Sequence, residues 1–377
     1  MKALILSAHT GGGHDAAAYA LRDALLEMGV ESRVEDCLAF AGQWLSKLVC
    51  GAYVKIVQHV PNLFGKAYHL SGKLSNPRFK SAGYYANASY AFRMKTLLAE
   101  FQPDIILCTH VFGGQTATYL RRKGNFRGVL GMVMTDYTLH PFTEDVECDA
   151  LFIPHEAVRP LCDKRGVKRE KICVAGIPVS PACQPCDNKA EAKRALGLDE
   201  NSREVLLVGG SMGAGNLPDA IETLLPVLGK NGHLTVICGS NAKAKAEAEE
   251  RCKDDSRVTV HGRVSPLYPL MAAADVLVTK SGGLTTTEAM TIGTPMLIIN
   301  PIEGCETENA SFFEDYCLAG YCRSAEELPH RLNIMLKDDE LRTRMIRAQR
   351  RQINPRAAAD IAQTMVRLAE KKHTSIA

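Results

Sequence analysis

His14 closes a triple glycine in SAHTGGGHDAA (residues 7–17), directly after the apolar run KALILS (Lys2–Ser7). Such a run suits a buried parallel strand, and His14 to Met28 carry Ala, Leu and Tyr at helical spacing up to Gly29. The glycines, Gly12 and Gly13 among them, therefore make a strand-to-helix turn. Unpaired N–H groups at such a helix start favour negative charge. Three readings fit: a phosphate or dinucleotide loop, a place where a polar acceptor nears the backbone with His14 as base, or a tight turn that needs glycine.

The design recurs in the second half. EVLLVGGSMGAGN runs a buried strand into Gly209, Gly210, Ser211, Met212, Gly213 and Gly215, with a helix from Leu217. No Lys-Ser/Thr follows the glycines, so this is not an NTPase P-loop, yet its N–H groups can cradle a diphosphate. HLTVICGSNAKAK places Gly239 and Asn241 between a strand and a helix, and Val264, after HGR, can pack against a base. SGGLTTTEAM puts Ser281, Gly282, Gly283 and Thr285 at a helix start, with Glu288 about one turn inside. A carboxylate beside an anion site suits a ribose diol. NPIEGCETENA then offers Glu306 and Asn309 as polar groups for a sugar. Glu288 alone reads as a solvated helical acid; four polar loops at successive strand ends point together to a ligand site.

The elements that must position these residues alternate along the chain. After the first strand, strand-like runs occur at 32–36, 104–109, 129–135, 150–154 and 171–175, and a second series at 204–208, 233–238, 257–260, 275–279 and 295–300, with helical patterns between. GIPVSPACQPCD (176–187) interrupts with three prolines and is the linker candidate. Two successive series predict an α/β protein of two doubly wound, mostly parallel domains, with ligands beyond the carboxyl ends of the strands. The tail, 354–372, reads as an amphipathic helix with Pro355 in its first turn.

A chain of 377 residues, 46% hydrophobic and 23% charged, has material for two cores. Its net charge of +3 gives no bulk indication of a nucleic-acid binder. Thirteen scattered cysteines, several inside apolar runs, fit reduced thiols in a cytosolic protein. The single C-x-x-C, Cys183 to Cys186, lacks a second pair at zinc spacing. No leader segment and no run of about 18 apolar residues is visible. From Cys37 to Ala99 there is no acidic residue, while Lys47, Lys55, Lys66, Lys73, Arg78, Lys80, Arg93 and Lys95 fall there, interleaved with apolar and aromatic residues. Trp44, the only tryptophan, lies in this stretch. That mixture in region 37–99 suits a helix on an anionic membrane surface; the alternative is a core helix with a basic outer face.

Together, GGGH (11–14), TDYTLHP (135–141), GIPV (176–179), GGSMGAG (209–215), TKSGG and TTTEA (279–289) and EGCETENA (303–310) make the chain resemble a nucleotide-sugar glycosyltransferase of the GT-B type. The resemblance is to the family of monogalactosyldiacylglycerol synthases and processive diacylglycerol glucosyltransferases, and it covers nearly the whole chain. The peptidoglycan lipid II N-acetylglucosaminyltransferase shares the fold and some loops; TD followed by HP, with GIPV before the linker, points to the diacylglycerol branch. The resemblance implies two Rossmann-like domains with a cleft between them. Residues 1–180 would serve acceptor and membrane, and 181–377 the donor, with the last helix (about 355–372) packing back on the first domain. It implies that Glu288 holds the ribose and that Ser211, Gly213, Ser281, Gly282, Gly283 and Thr285 hold the diphosphate; Gly210, Met212, Gly239, Asn241 and Val264 are expected as further donor-binding residues. Glu306 and Asn309 would meet the hexose. His14 and Asp136 would be catalytic, with Gly12, Gly13, His140 and Trp44 on the acceptor side. His9 stands where relatives tend to carry Asp or Asn, which keeps it open as the base, and PFTED after His140 lacks the relatives' tryptophan.

The implied reaction displaces UDP from UDP-glucose or UDP-galactose by the free hydroxyl of diacylglycerol, with inversion, on the inner face of the cell membrane. No Asp-x-Asp occurs in the chain, so helix N-termini and glycine N–H groups are expected to stabilise the leaving diphosphate without a divalent ion and without a cofactor. An NAD-dependent oxidoreductase is the rival, because Gly11-x-Gly13-x-x-Ala16 with Glu35 or Asp36 fits a degenerate dinucleotide fingerprint. A membrane-surface binding module without turnover is the third reading.

Overall fold

The computed structural model describes residues 1–9, 12–42, 70–71, 79–211, 213 and 217–374. The chain divides into two compact units, Met1–Ala182 together with Asn354–Ala377, and Cys183–Ile353.

In the first unit β1 (Lys2–Ser7), β2 (Glu31–Asp36), β3 (Ile105–Cys108), β4 (Val129–Val133), β5 (Ala150–Ile153) and β6 (Ile172–Val174) form one sheet in the order β2-β1-β3-β4-β5-β6. Every pairing is parallel. The inner strands are apolar on both faces because both are covered, whereas edge strand β2 carries Glu31, Arg33 and Glu35. Alternate residues of β1 serve opposite cores. Leu4 and Leu6 join the cluster that includes Ala117 and Leu120 of the helix Val111–Arg122, while Ala3 and Ile5 join the one that includes Leu21 and Leu25 of the helix Gly12–Glu27. The chain leaves β1 for one face and β3 for the other, which opens a crevice at their adjacent carboxyl ends.

The helix Ala357–Thr374 returns to this unit and supplies Ile361, Ala362 and Met365 to the same face as the helix Gly12–Glu27. Pro355, expected in its first turn, lies in the turn ahead of it. Gly131 in β4 admits Met365 closely: a Cβ there would lie 2.7 Å from Leu107 Cδ2 and 2.8 Å from Met365 Sδ. On the opposite face the helix Ala82–Ala91 is fastened by buried polar groups that the sequence did not signal. Ser81 Oγ donates to Asp145 (2.5 Å), Gln115 Nε2 donates to the same carboxylate (2.8 Å), and Asn87 Nδ2 donates to Gln115 Oε1 (2.6 Å).

The second unit carries β7 (Arg203–Val208), β8 (Gly232–Ile237), β9 (Val258–His261), β10 (Val276–Thr279), β11 (Met296–Ile298) and β12 (Gly320–Tyr321) in the order β12-β11-β10-β7-β8-β9, again parallel. Strands step outward from β7 on one side and from β10 on the other, so the crevice lies beyond the ends of β7 and β10. The two-residue β12 is the strand that sequence patterning did not anticipate. The twelve described cysteines, Cys183 and Cys186 included, are all free.

Gly131→Leu is expected to destabilise the first unit by about 1–3 kcal/mol through overpacking. The measurement is the urea midpoint of unfolding, and an unchanged midpoint would show that the helix does not rest on β4 as described.

Candidate functional site

At the first crevice the helix begins at Gly12, so Gly12 and Gly13 belong to its first turn and His14 is its third residue. His14 Nδ1 lies 2.9 Å from the Thr109 carbonyl oxygen, at the end of β3. A carbonyl only accepts, so this nitrogen carries the hydrogen and the neutral ring keeps a bare Nε2. Thr109 Oγ1 donates back to the His14 carbonyl (3.1 Å), and the Thr135 hydroxyl lies 3.1 Å from the same Nδ1. Nε2 has no partner among the described residues. Burial pushes the His14 pKa below its usual 6.5; the Asp136 carboxylate opposes this shift and His140 adds to it. His9 differs: it is exposed, and its Nδ1 lies 2.7 Å from Asp15, which also accepts from Ser7 Oγ (2.5 Å).

Asp136 and His140 follow β4. Asp136 is buried, and its Oδ2 lies 2.8 Å from His140 Nε2. Thus His14, Asp136 and His140 share one end of the first sheet. Trp44 and most of the basic stretch 37–99 lie outside the described residues, as does Met212.

In the second unit three glycines with positive φ, Gly210 (74°), Gly213 (59°) and Gly239 (57°), let the loops after β7 and β8 interlock. A Cβ on Gly213 would stand 2.1 Å from the Cys238 carbonyl oxygen, and one on Gly239 2.4 Å from that of Gly210. Asn241 joins the same packing. Its Nδ2 donates to Gly213 O (3.0 Å) and its Oδ1 caps the helix Ala242–Cys252 by accepting from Ala244 N (3.0 Å). Ser211 is exposed in this loop and Val264, after β9, is half-buried.

Beyond β10, Gly282 caps the helix Gly283–Ile292, whose first N–H groups, from Gly283 to Thr285, have no intrahelical acceptor. Ser281 and Asn309 are fully buried and tie this loop to the helix Cys305–Asp315: Ser281 Oγ donates to Glu306 O (2.5 Å) and Asn309 Nδ2 donates to Ser281 O (2.9 Å). Their side chains thereby fix the loop. Glu306 accepts from Ile302 N (2.9 Å) through Oε2 and pairs with Lys280 through Oε1. Glu288 stands apart, because its carboxylate has no partner among the described residues and burial lifts its pKa from the usual 4.5 to about 7.

Two residues escaped the sequence reading. Lys280 follows β10 directly, with its Cε 2.5 Å from where a Gly210 Cβ would be and its Nζ 4.0 Å from that of Gly282. His110 follows β3, with its ring 4.7 Å from that of His14. The available signal was position: each is the first or second residue past a strand at its sheet's point of reversal.

Two parallel six-stranded sheets with glycine loops at their points of reversal define the GT-B class of glycosyltransferase folds. The structure is similar to the crystal structure of MurG from Acinetobacter baumannii, with a TM-score of 0.62 and 15% identity over 97% of this chain and 99% of that one. Residues 14–179 match the family described as monogalactosyldiacylglycerol (MGDG) synthase, and 204–365 the glycosyltransferase family 28 C-terminal domain. Among relatives, the processive diacylglycerol beta-glucosyltransferase of Bacillus cytotoxicus is 27% identical across 97% of this chain and 93% of its own length. Monogalactosyldiacylglycerol synthase 1, chloroplastic, of Arabidopsis thaliana is 30% identical across 87% of this chain and 63% of its own. The chain belongs to this family of diacylglycerol glycosyltransferases, which form glycolipids. The dinucleotide-fingerprint reading gives way to it; Asp36, one of the acids that reading required, accepts from Leu38 N (3.0 Å) in the turn after β2.

The raised pKa of Glu288 carries a stability prediction. Between pH 4.5 and about 7 the unfolded glutamate is ionised while Glu288 in the fold keeps its proton, so stability falls as pH rises through that window. Glu288→Gln removes the loss: the variant should be more stable than the native chain at pH 8, by up to about 3 kcal/mol, and the gap should close toward pH 4.5. Thermal melts at the two pH values check this, and a variant with no advantage at pH 8 would contradict it.

Proposed function

We propose that this chain transfers glucose from UDP-glucose to the free hydroxyl of diacylglycerol at an anionic membrane surface, inverting the anomeric centre; UDP-galactose is the alternative donor. The observation that carries the reading is Glu288. A half-buried carboxylate without a partner, beside a glycine-opened helix start, is costly unless a ligand brings hydroxyl donors to it, and a ribose diol does so. The N–H groups from Gly283 to Thr285, the loops of Gly210, Ser211, Gly213 and Gly239, and the Lys280 ammonium favour a diphosphate next to that ribose. The position of Val264 after β9 suits the uracil, and that of Glu306 suits the hexose.

On the acceptor side the bare Nε2 of His14 takes the hydroxyl proton as the oxygen attacks. Negative charge builds on the departing diphosphate, where Lys280 and the helix N–H groups stabilise it, so no divalent ion is required. Glucose is preferred because the Bacillus relative named above is a beta-glucosyltransferase, and inversion of an α-linked UDP-glucose yields a β-glucoside. Membrane association is supported by the described part of the acid-free stretch. Phe79 (75% exposed), Tyr85 (63%) and Phe92 (56%) lie in it, with the exposed Arg93 and Lys95. No helix among the described residues is long and apolar enough to cross a membrane.

The decisive experiment feeds radiolabelled UDP-glucose and UDP-galactose, separately, to the chain on liposomes of diacylglycerol with an anionic phospholipid. Labelled glycolipid from UDP-glucose is the expected product; no labelled lipid from either donor would sink the proposal. Turnover in excess chelator should stay within about twofold of the control, and abolition there would refute the metal-free part. In melts without lipid, UDP should raise the Tm of the native chain and NAD should not, and Glu288→Gln should weaken the UDP effect about tenfold or more in apparent affinity.

A further inference from the structure

The fold fixes His110 as firmly as His14, and the proton transfer to His14 leaves it without a role. Its Nδ1 accepts from Phe112 N (3.2 Å) at the start of the helix Val111–Arg122. An imidazole nitrogen that accepts an N–H has no hydrogen of its own, so the neutral ring of His110 carries its hydrogen on Nε2. Thr109 imposes the reverse on His14. The two rings stand edge to face, 4.7 Å apart at 89°. Thr109 O and Phe112 N, both just past β3, thus hold two neighbouring imidazoles in opposite tautomers, one offering a bare Nε2 and the other an Nε2–H. Neither Nε2 has a partner among the described residues. Burial, His14 and His140 push the His110 pKa well below 6.5, which keeps its ring neutral.

A hydroxyl is the group that such a pair complements, since it donates one hydrogen and accepts another. We propose that His110 is a substrate-positioning residue of the acceptor site, donating from Nε2–H to the oxygen of the attacking hydroxyl while His14 Nε2 faces its hydrogen. The inference rests on the transferase reading above. In the transfer the O–H bond breaks and its proton goes to His14 Nε2. The oxygen's remaining lone pair forms the bond to the anomeric carbon, and the electrons of the broken carbon–oxygen bond leave with the diphosphate. His110 loses and gains no proton; it removes rotational freedom from the nucleophile, which is where an oriented contact yields rate.

Two substitutions separate this role from helix capping. His110→Asn keeps an acceptor for Phe112 N but has nothing at the Nε2 position. His110→Gln keeps an N–H near the Nε2 position but leaves Phe112 N without its cap. The liposome assay with UDP-glucose is expected to show kcat/KM for diacylglycerol about 30-fold lower in His110→Asn, with native melting and native UDP affinity. His110→Gln is expected to melt lower yet turn over faster than His110→Asn. The acid limb of the kcat profile should keep its midpoint in both, because the titrating base is His14: His110 is neutral where His14 titrates, and the groups that shift His14 by charge, Asp136, His140 and Asp15, are untouched. Native turnover by His110→Asn, or losses that simply follow the melting temperatures, would overturn the role. Nitrogen-15 spectra of the native chain without substrate read the tautomers directly: a hydrogen on His110 Nδ1 would overturn the inference even if turnover is seen. A native chain that forms no glycolipid while showing both tautomers as described would instead indict the transferase reading, and the hydroxyl role with it.

Discussion

Between His14 and Thr109 run two hydrogen bonds that join residues 95 positions apart, Nδ1–H to the Thr109 carbonyl and the Thr109 hydroxyl to the His14 carbonyl. They tie the loop after β1 to the loop after β3, and the first site depends on them. Without them the imidazole at the helix start could hold its hydrogen on either nitrogen, and neither Nε2 geometry nor basicity would be defined. The bonds in turn require β1 and β3 to lie side by side with their following helices on opposite faces. The helix Val111–Arg122 must also approach the sheet closely. Gly113 allows this, since a Cβ there would stand 2.9 Å from Leu6 Cβ. Sheet order, a small residue and a tautomer are links of one chain of causes.

The second unit reaches a comparable result by other means. Its loops are held by backbone shape: positive φ at Gly210, Gly213 and Gly239 permits contacts that any side chain would block. Lys280 then lies against Gly210, and its ion pair with Glu306 joins the ends of β10 and β11. Close approach of backbone leaves N–H groups, not side chains, at the surface of the loop. That is the property a diphosphate-binding loop needs.

Much of this was legible in the residues. Apolar runs between turn residues located the inner strands, because a parallel strand covered on both faces can be little else. The edge strand β12, two residues long, has no room for a pattern. Glycine clusters after strands marked the loops around which the site residues gather. What a sequence cannot display is what each polar side chain faces. Asn241 and Asn309, read as ligand contacts, donate to backbone carbonyls of their own fold. Lys280 and His110 carry only the signal of their position after a strand, and a charged or aromatic residue there is unremarkable until the neighbouring loop is seen beside it. His9 and His14 flank the same glycines, and only tertiary placement separates the exposed partner of Asp15 from the ring held by Thr109.

Glu288 and Glu306 show how two similar carboxylates come to differ. Glu306 is the more buried, yet it meets an ammonium and a backbone N–H, so its desolvation is offset inside the fold. Glu288 is less buried and meets nothing, so its desolvation appears as a pKa near 7 and as stability lost while the pH rises from 4.5 to that value. A fold selected for stability alone would have placed a glutamine or an apolar residue there. Unpaired charge of this kind persists where a ligand completes the pairing, because the free energy withheld from folding is then recovered on binding. By that reasoning Glu288, and not the better-satisfied Glu306, is the carboxylate that the proposed nucleotide would relieve.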